Sequence, residues 1–307
     1  MRRVRVATLN FREVRLEDPR RTVRENLDRM KKIFEDTSYD HPDIFAFTEM
    51  NPFLGVELNK SVELAPEFYE ESLDIFEGLA RKYEIYVVLP TLEVVSSKVY
   101  NTVFLINREG EIVGRYRKVH PTISEMEAGI SPGDREVVIE TEFGKVGFLI
   151  CFDLNYKDII RKTVERGAEI IFFLSMYEGG LQLRCLAFDY GIYVVSALKL
   201  SGCTILNPLG REIGEHSHSP YVKIGDINLD YGVFHLDYNW RKLPEIKRKY
   251  GERMRIYISR PEATFMIVSE DPLINVDDVV KEFGLEYRYD YLQRANEFCR
   301  HLKTGNL

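Results

Sequence analysis

Apolar and polar positions along the chain switch between two periods. Residues 3–8 alternate valine with polar neighbours and predict a first strand. Over residues 19–36 the period lengthens: Val23, Leu27, Met30 and Phe34 fall three or four apart, one face of a helix. DIFAFT at residues 43–48 is a short apolar run that predicts a buried strand. The cycle recurs with a helix over 67–83, carrying Leu73, Phe76, Leu79 and Ala80 on one side, and a strand over 84–89. Residues 101–107 and 111–116 predict a hairpin turning at Glu109–Gly110; residues 137–140 and 145–150 predict another turning at Gly144. A helix over 156–166, a strand at 170–174, a helix over 181–190 and strands at 193–197 and 204–206 follow. IIFFL at 170–174 is apolar throughout, so both faces of that strand must be covered. Strands alternating with helices place the helices outside a sheet, and the hairpins make that sheet mixed.

The pattern weakens after residue 236. Residues 237–255 are dense in Lys, Arg and Glu and predict an exposed helix broken at Pro244. Asn275 caps a predicted helix that runs to Phe283, and residues 287–302 form another at roughly helical spacing. The reading is a domain over residues 1–236 and an extension over 237–307 that packs on the core or on a neighbouring subunit.

Composition narrows the function classes. The 307 residues carry a formal net charge of −7, without the basic footprint of a nucleic-acid binder. The N-terminus, MRRVRVATLNF, has no long apolar run behind its charges, which argues against a signal peptide, and no stretch predicts a membrane span. Cys151, Cys185, Cys203 and Cys299 form no CxxC pair and no zinc ligand set. His216 and His218 are too few for a metal site. The expectation is a cytoplasmic protein with reduced thiols, without metal or cofactor, acting on a small molecule.

Three strand ends then stand out. Cys151 follows KVGFLI, at the rim where α/β sheets form crevices, and a helix N-terminus behind it would favour the thiolate. Glu49 ends DIFAFTEM, and Lys118 closes EIVGRYRK. Singly, each has a plain structural reading: a small buried thiol, a solvated carboxylate and a surface lysine. Together they are the groups that amide chemistry needs. A thiolate attacks the carbonyl carbon, a carboxylate shuttles the proton, and a cation steadies the oxyanion. His120 reads as a residue that orients its loop, and Asp153 as one that holds the loop or caps the next helix.

FAFTEM, GRYRKVHPT and VGFLICFDLNY resemble, in order, the three catalytic blocks of the nitrilase-like carbon–nitrogen hydrolase superfamily. SPGD at 131–134 and SGCTILNPLGREI resemble supporting segments, and the likeness runs over about residues 3–230. The resemblance implies a four-layer αββα sandwich of two mixed sheets flanked by helices. It implies catalytic roles for Glu49, Lys118 and Cys151, with a second glutamate at Glu125 or, alternatively, Glu127. Phe152 would lend its backbone N–H, and Met176, Tyr177 and Glu178 would touch substrate. It also implies a homodimer or larger homo-oligomer. Cys151–Phe152–Asp153 is more similar to the amidase and carbamoylase branches than to Cys-Trp-Glu nitrile hydrolysers. The implied reaction is hydrolysis of an amide or N-carbamoyl compound through a cysteine thioester. Nitrile hydrolysis, acyl transfer and an inactive binding homologue are the alternatives.

Overall fold

The structure, a computed structural model, describes residues 2–200 and 202–304; Ser201, which opens SGCTILNPLGREI, and residues 305–307 of the extension lie outside the described residues. Val4–Ile227 form one compact unit, and the described residues from Asn228 onward, with the start of the chain, form a second.

The first unit is mixed α/β. Strand β1 (Arg3–Phe11) leads into α1 (Pro19–Ser38), which starts where Asp18 accepts the N–H of Arg20 and Pro19 takes the first turn. Val23, Leu27, Met30 and Phe34 are buried on its inner face, as their spacing predicts. After β2 (Ile44–Ala46), helix α2 (Leu58–Tyr83) begins nine residues before the expected start and runs through Pro66. A proline costs a helix one backbone hydrogen bond. Here Leu64, Ala65 and Phe68 sink into the core around it, and that burial outweighs the lost bond.

β3 (Tyr86–Val95) and β4 (Lys98–Ile106) outrun the strands expected over 84–89 and 101–107, and they form a hairpin that the sequence did not predict, turning at Ser96–Ser97 with Ser96 at φ 54°. Pro90 interrupts the pattern of β3, but β2 stops opposite Val88, so the proline stands beyond its end on that side. Strand β5 (Ile112–Arg117) pairs antiparallel with β4. Then come α3 (Ile123–Glu127), the β6 (Val138–Glu140) and β7 (Lys145–Ile150) hairpin, α4 (Lys157–Glu165) and β8 (Ile170–Ser175). Next are α5 (Gly180–Tyr190), β9 (Tyr193–Lys199), β10 (Thr204–Leu206), β11 (Glu212–Ile213), β12 (Glu215–His216) and β13 (Val222–Asn228). Gly147 lets α4 approach β7: a Cβ there would stand 2.4 Å from Thr163 Cγ2.

These strands join in one hydrogen-bonded network along the order β5-β4-β3-β2-β1-β9-β8-β7-β6. The joint is β1. Its residues 6–8 pair with β2 and its last two with β9, so the two halves connect instead of standing as separate sheets. From β3 to β7 the path is parallel, and β5 runs the same way because two antiparallel pairings separate it from β3. Hence the carboxyl ends of β2, β5, β7, β8 and β9 share one edge.

The second unit corrects the expected exposed, proline-broken helix. A three-stranded antiparallel sheet of β14 (Tyr231–His235), β16 (Thr264–Ser269) and β15 (Met254–Ser259) packs with α6 (Leu243–Tyr250) and α7 (Val276–Phe283) around Phe234, Ile246, Phe265 and Val279. Pro244 starts α6 instead of breaking it, since a first-turn N–H has no helical partner to lose. Asn275 caps α7 as expected, and α8 (Arg288–Thr304) follows. No helix among the described residues is long and apolar enough to cross a membrane.

Glu93 on β3 is fully buried, yet it accepts from Arg115, Arg117 and Thr102. Burial opposes its charge, but the arginines and the threonine hold its carboxyl below the usual range. Glu93→Gln is expected to cost about 2 kcal/mol in urea unfolding at pH 7, less than a fully enclosed pair because both arginines reach water. A depressed folded pKa stabilises above the unfolded pKa and is lost as pH falls through the folded one. The wild-type advantage should therefore fade on acidification, and a gap that widens in acid contradicts the assignment.

Candidate active site

The shared edge gathers the candidate residues. Glu49 follows β2 and is held in place by its neighbour: Thr48 Oγ1 donates to the carbonyls of Leu9 and Leu198, at 3.3 and 3.0 Å. Lys118 follows β5, and its backbone N–H donates to Asn101 O at 2.8 Å. Cys151 opens a 3-10 turn (Cys151–Asn155) directly after β7, with φ 49°, in the left-handed region that non-glycine residues rarely adopt. Glu125 sits on α3 in a capping box: Thr122 Oγ1 accepts from Glu125 N, and Glu125 Oε2 accepts from Thr122 N at 2.8 Å.

Their side chains converge. Lys118 Nζ donates to Glu49 Oε1 at 2.9 Å and to Glu125 Oε1 and Oε2 at 2.9 and 2.8 Å. Glu49, Lys118 and Glu125 are all buried. Asn101 Nδ2 donates to Glu49 Oε1 at 3.0 Å and to Glu125 Oε1 at 3.1 Å, and Met176 N–H donates to Glu49 Oε2 at 3.0 Å. Cys151 shares with these three a cavity of about 280 Å³ whose apolar walls include Met50, Phe53 and Leu54. Glu127 is exposed, so of the two glutamates in the loop it is Glu125 that meets the lysine. Sequence reasoning passed over Asn101; an amide inside the apolar run NTVFLIN was the signal, because a buried polar group needs partners. It also passed over Thr122-Ile123-Ser124-Glu125, whose capping-box spacing distinguishes Glu125 from Glu127.

Electrostatics correct the expected thiolate. Burial pushes the Cys151 thiol up to about 12, and the charge of Glu49 adds to the rise; Lys118 and a hydrogen bond from Ser175 oppose it. A short 3-10 turn, not an α-helix, follows the sulfur directly. Burial works against the Lys118 ammonium, but Glu49, Cys151 and Glu125 hold it protonated above the ordinary lysine range. Burial likewise opposes the Glu125 charge, and Lys118 holds that carboxyl below its usual range. The resting site therefore holds a thiol, an ammonium and the Glu125 carboxylate.

The loop after Cys151 is fixed from beneath. Asp153, fully buried, accepts from Ile150 N, Tyr116 Oη, and His120 N at 3.0, 2.7 and 2.9 Å. His120 stacks on Tyr156 with ring centroids 3.6 Å apart. Asp153 thus ties the lysine loop to the cysteine turn and does not cap α4, which starts at Tyr156 without a side-chain cap. Of the four expected substrate contacts, Met176 lines the cavity. The Phe152 ring packs edge-on against Tyr156, and Tyr177 Oη donates to Cys151 O at 3.2 Å as a brace. Glu178 is exposed and lines a different cavity with Arg184, Glu212 and Lys223, because the chain turns away after Tyr177.

A sequence profile described as carbon-nitrogen hydrolase matches residues 5–232. The chain belongs to the carbon-nitrogen hydrolase family, a family of enzymes. This carbon-nitrogen hydrolase is 26% identical to an omega-amidase of Saccharomyces cerevisiae over 55% of its own length and 66% of the relative's. It is 29% identical to a 2-oxoglutaramate amidase of Bacillus subtilis over 48% of its length and 57% of the relative's. The match thus spans less than two thirds of either relative. In fold, the hydrolase is similar to the amidase from Nesterenkonia sp. AN1, solved with the acetamide moiety of fluoroacetamide on its active-site cysteine. That comparison has a TM-score of 0.66 at 20% identity and covers 80% of this chain and 96% of that one.

Because Glu49 raises the thiol while Lys118 lowers it, Glu49→Gln should shift thiolate formation down by about one pH unit or more. Thiolate absorbance followed against pH in a variant keeping Cys151 as its sole cysteine reads this directly. An unchanged midpoint means that the carboxylate is not coupled to the sulfur.

Proposed function

We propose that the chain hydrolyses a linear amide or N-carbamoyl compound through a thioester on Cys151. The observation that carries this reading is the buried Lys118 ammonium clasped by Glu49 and Glu125 in the cavity that also holds the thiol. The amidases among its relatives support the same class of reaction.

In the proposed mechanism, Glu49 removes the thiol proton as sulfur bonds to the carbonyl carbon. A thiol near 12 cannot supply thiolate in advance, so proton transfer and attack are coupled. The Lys118 ammonium and the Phe152 N–H stabilise the oxyanion. The carbon–nitrogen bond then breaks, and Glu49 returns its proton to the departing ammonia or amine. Water, deprotonated by Glu49, attacks the thioester; the acid leaves, and the proton returns to the thiol. Glu125 keeps Lys118 aimed and charged throughout, while Met176 holds Glu49 through its backbone N–H. The cycle uses only these side chains.

The architecture proposed with this reading is the αββα sandwich, the two halves of the sheet forming its inner layers. Its support is that β8 is buried along its whole length, with α1 and α2 in the core of one half and α4 and α5 on strands of the other. We also propose residues 237–307 as an extension of the catalytic domain, a homo-oligomer as the working form, and the cytoplasm as its place.

Cys151→Ala should release no ammonia from primary amides while melting within a few degrees of the wild type; residual turnover would overturn the role of the sulfur. Rapid quenching of the wild type should show a mass increase equal to the acyl group. Glu125→Gln should lower kcat by roughly 10²–10³-fold, as for loss of one oxyanion-stabilising group. A change confined to KM would instead assign Glu125 to substrate binding.

A further inference from the structure

Each carboxyl oxygen beside Lys118 has its own set of donors. An oxygen of this kind offers two lone pairs, so a carboxylate has about four acceptor sites. On Glu125, Oε1 accepts from Lys118 Nζ and Asn101 Nδ2, and Oε2 accepts from Lys118 Nζ and Thr122 N, so every site is taken. On Glu49, Oε1 accepts from Lys118 Nζ and Asn101 Nδ2, while Oε2 accepts from Met176 N alone. The open site of the pair is therefore on Glu49 Oε2. The ammonium is fully committed too, with three hydrogens for three carboxyl oxygens.

Asn101 makes the count come out this way. It is fully buried on β4 and stands outside the lining of the cavity, so it acts on the carboxyl groups and not on a ligand. Its single amide nitrogen reaches both Oε1 atoms, at 3.0 and 3.1 Å, the same two that Lys118 bridges. Its own Oδ1 is buried without a hydrogen-bond partner among the described residues. An unpaired buried acceptor is destabilising, yet turning the amide over would set that oxygen against two carboxyl oxygens. The position thus gives up stability to hold an NH2 group between Glu49 and Glu125. Asn101 O also accepts the backbone N–H of Lys118 at 2.8 Å, so one residue touches all three members of the cluster.

We propose that Asn101 is a positioning residue that decides which oxygen takes the catalytic proton: by filling Oε1 of both glutamates with a neutral donor, it leaves Glu49 Oε2 to accept the proton of Cys151. The proposal deepens the hydrolytic reading above and rests on it. In the attack, the S–H bond breaks as sulfur bonds to the carbonyl carbon, the carbonyl π pair moves to oxygen, and the proton passes to Glu49 Oε2. Lys118 must then turn one hydrogen toward the oxyanion. The carboxyl oxygen it releases keeps a second donor, Asn101 on either Oε1 or Thr122 N on Glu125 Oε2, so the group stays where it stands. Without the amide, each Oε1 would have an open site, and a proton taken up there would neutralise the cluster before the thiol could give one.

Two variants of similar shape test this on butyramide. Asn101→Leu removes the donor. The coupled carboxyl groups should then take up a proton at higher pH, moving the acid limb of kcat up by about one pH unit or more. Asn101→Asp substitutes an acid that two neighbouring carboxyl groups keep protonated to higher pH. Its O–H donates in acid and is lost as pH rises, so kcat should fall by about 10²-fold in alkali and recover on acidification. In both variants KM should stay within about twofold, because Asn101 does not touch substrate. A loss of kcat that is equal at every pH means packing alone, and a change confined to KM means substrate binding; either result, or an unchanged kcat, overturns the proposal. Asn101→Ala, which removes the donor without adding bulk, replaces a variant that does not fold. If the wild type releases no ammonia, the hydrolytic reading fails separately, and infrared titration decides the role of Asn101. A buried carboxyl band that appears at higher pH in Asn101→Leu than in the wild type sustains it, and coincident titrations overturn it.

Discussion

A lysine ammonium shut away from water between two carboxylates is the constraint on which the rest of the site depends. Burying an unpaired ammonium costs several kcal/mol, so Lys118 can be buried only where its partners stand beside it. Glu49 and Glu125 overcompensate, leaving the cluster with one surplus negative charge. That surplus explains the thiol. A thiolate at Cys151 would add a second negative charge in a poorly hydrated space, and the sulfur holds its proton up to about pH 12. Transferring the proton to Glu49 while sulfur attacks keeps the total charge constant. Forming the thiolate first does not.

The sheet supplies the fixing. Five strands deliver side chains to one edge because each runs in the same direction there, whether reached through a crossover helix or through two hairpins. Local devices then set the last few ångströms. The left-handed turn at Cys151 points the chain away from the β7 direction, and buried Asp153 holds that turn to the lysine loop through His120 and Tyr116. Such supports matter because a misplacement of about 1 Å can cost roughly 10²-fold in rate.

Legibility in the sequence followed how local each constraint is. Helix α1 was readable from its apolar stripe alone, expected over 19–36 and found over Pro19–Ser38, because that stripe is local. The start of α2 was missed because proline argues against a helix locally, while the core that overrides it comes from other elements. Strand β13 pairs with β1 from more than two hundred positions away, and Gly225 breaks its pattern, so no local signal marked it. The three-stranded sheet of the second unit was hidden by the charged residues between its strands. The catalytic residues were legible as a family likeness in three blocks, but their ionisation was not. A thiol's charge depends on burial and on neighbours 33 and 102 positions away, Lys118 and Glu49, that only the folded chain brings together.

Glu125 shows how closely folding and chemistry share parts. Its Oε2 closes the capping box of α3 with Thr122 N, and the same carboxylate receives Lys118 through both oxygens. A five-residue helix has little stability of its own, so its start must be held by side-chain bonds. The lysine holds the carboxylate, the carboxylate holds the cap, and the cap sets where the carboxylate stands. Each link is worth only about 1 kcal/mol when measured as a neutral hydrogen bond, and more when charged. Closed into a ring, however, none can move without loosening the other two. The lysine is therefore aimed by the same geometry that lets the loop fold, and a glutamate two residues further on could not serve both ends of that ring.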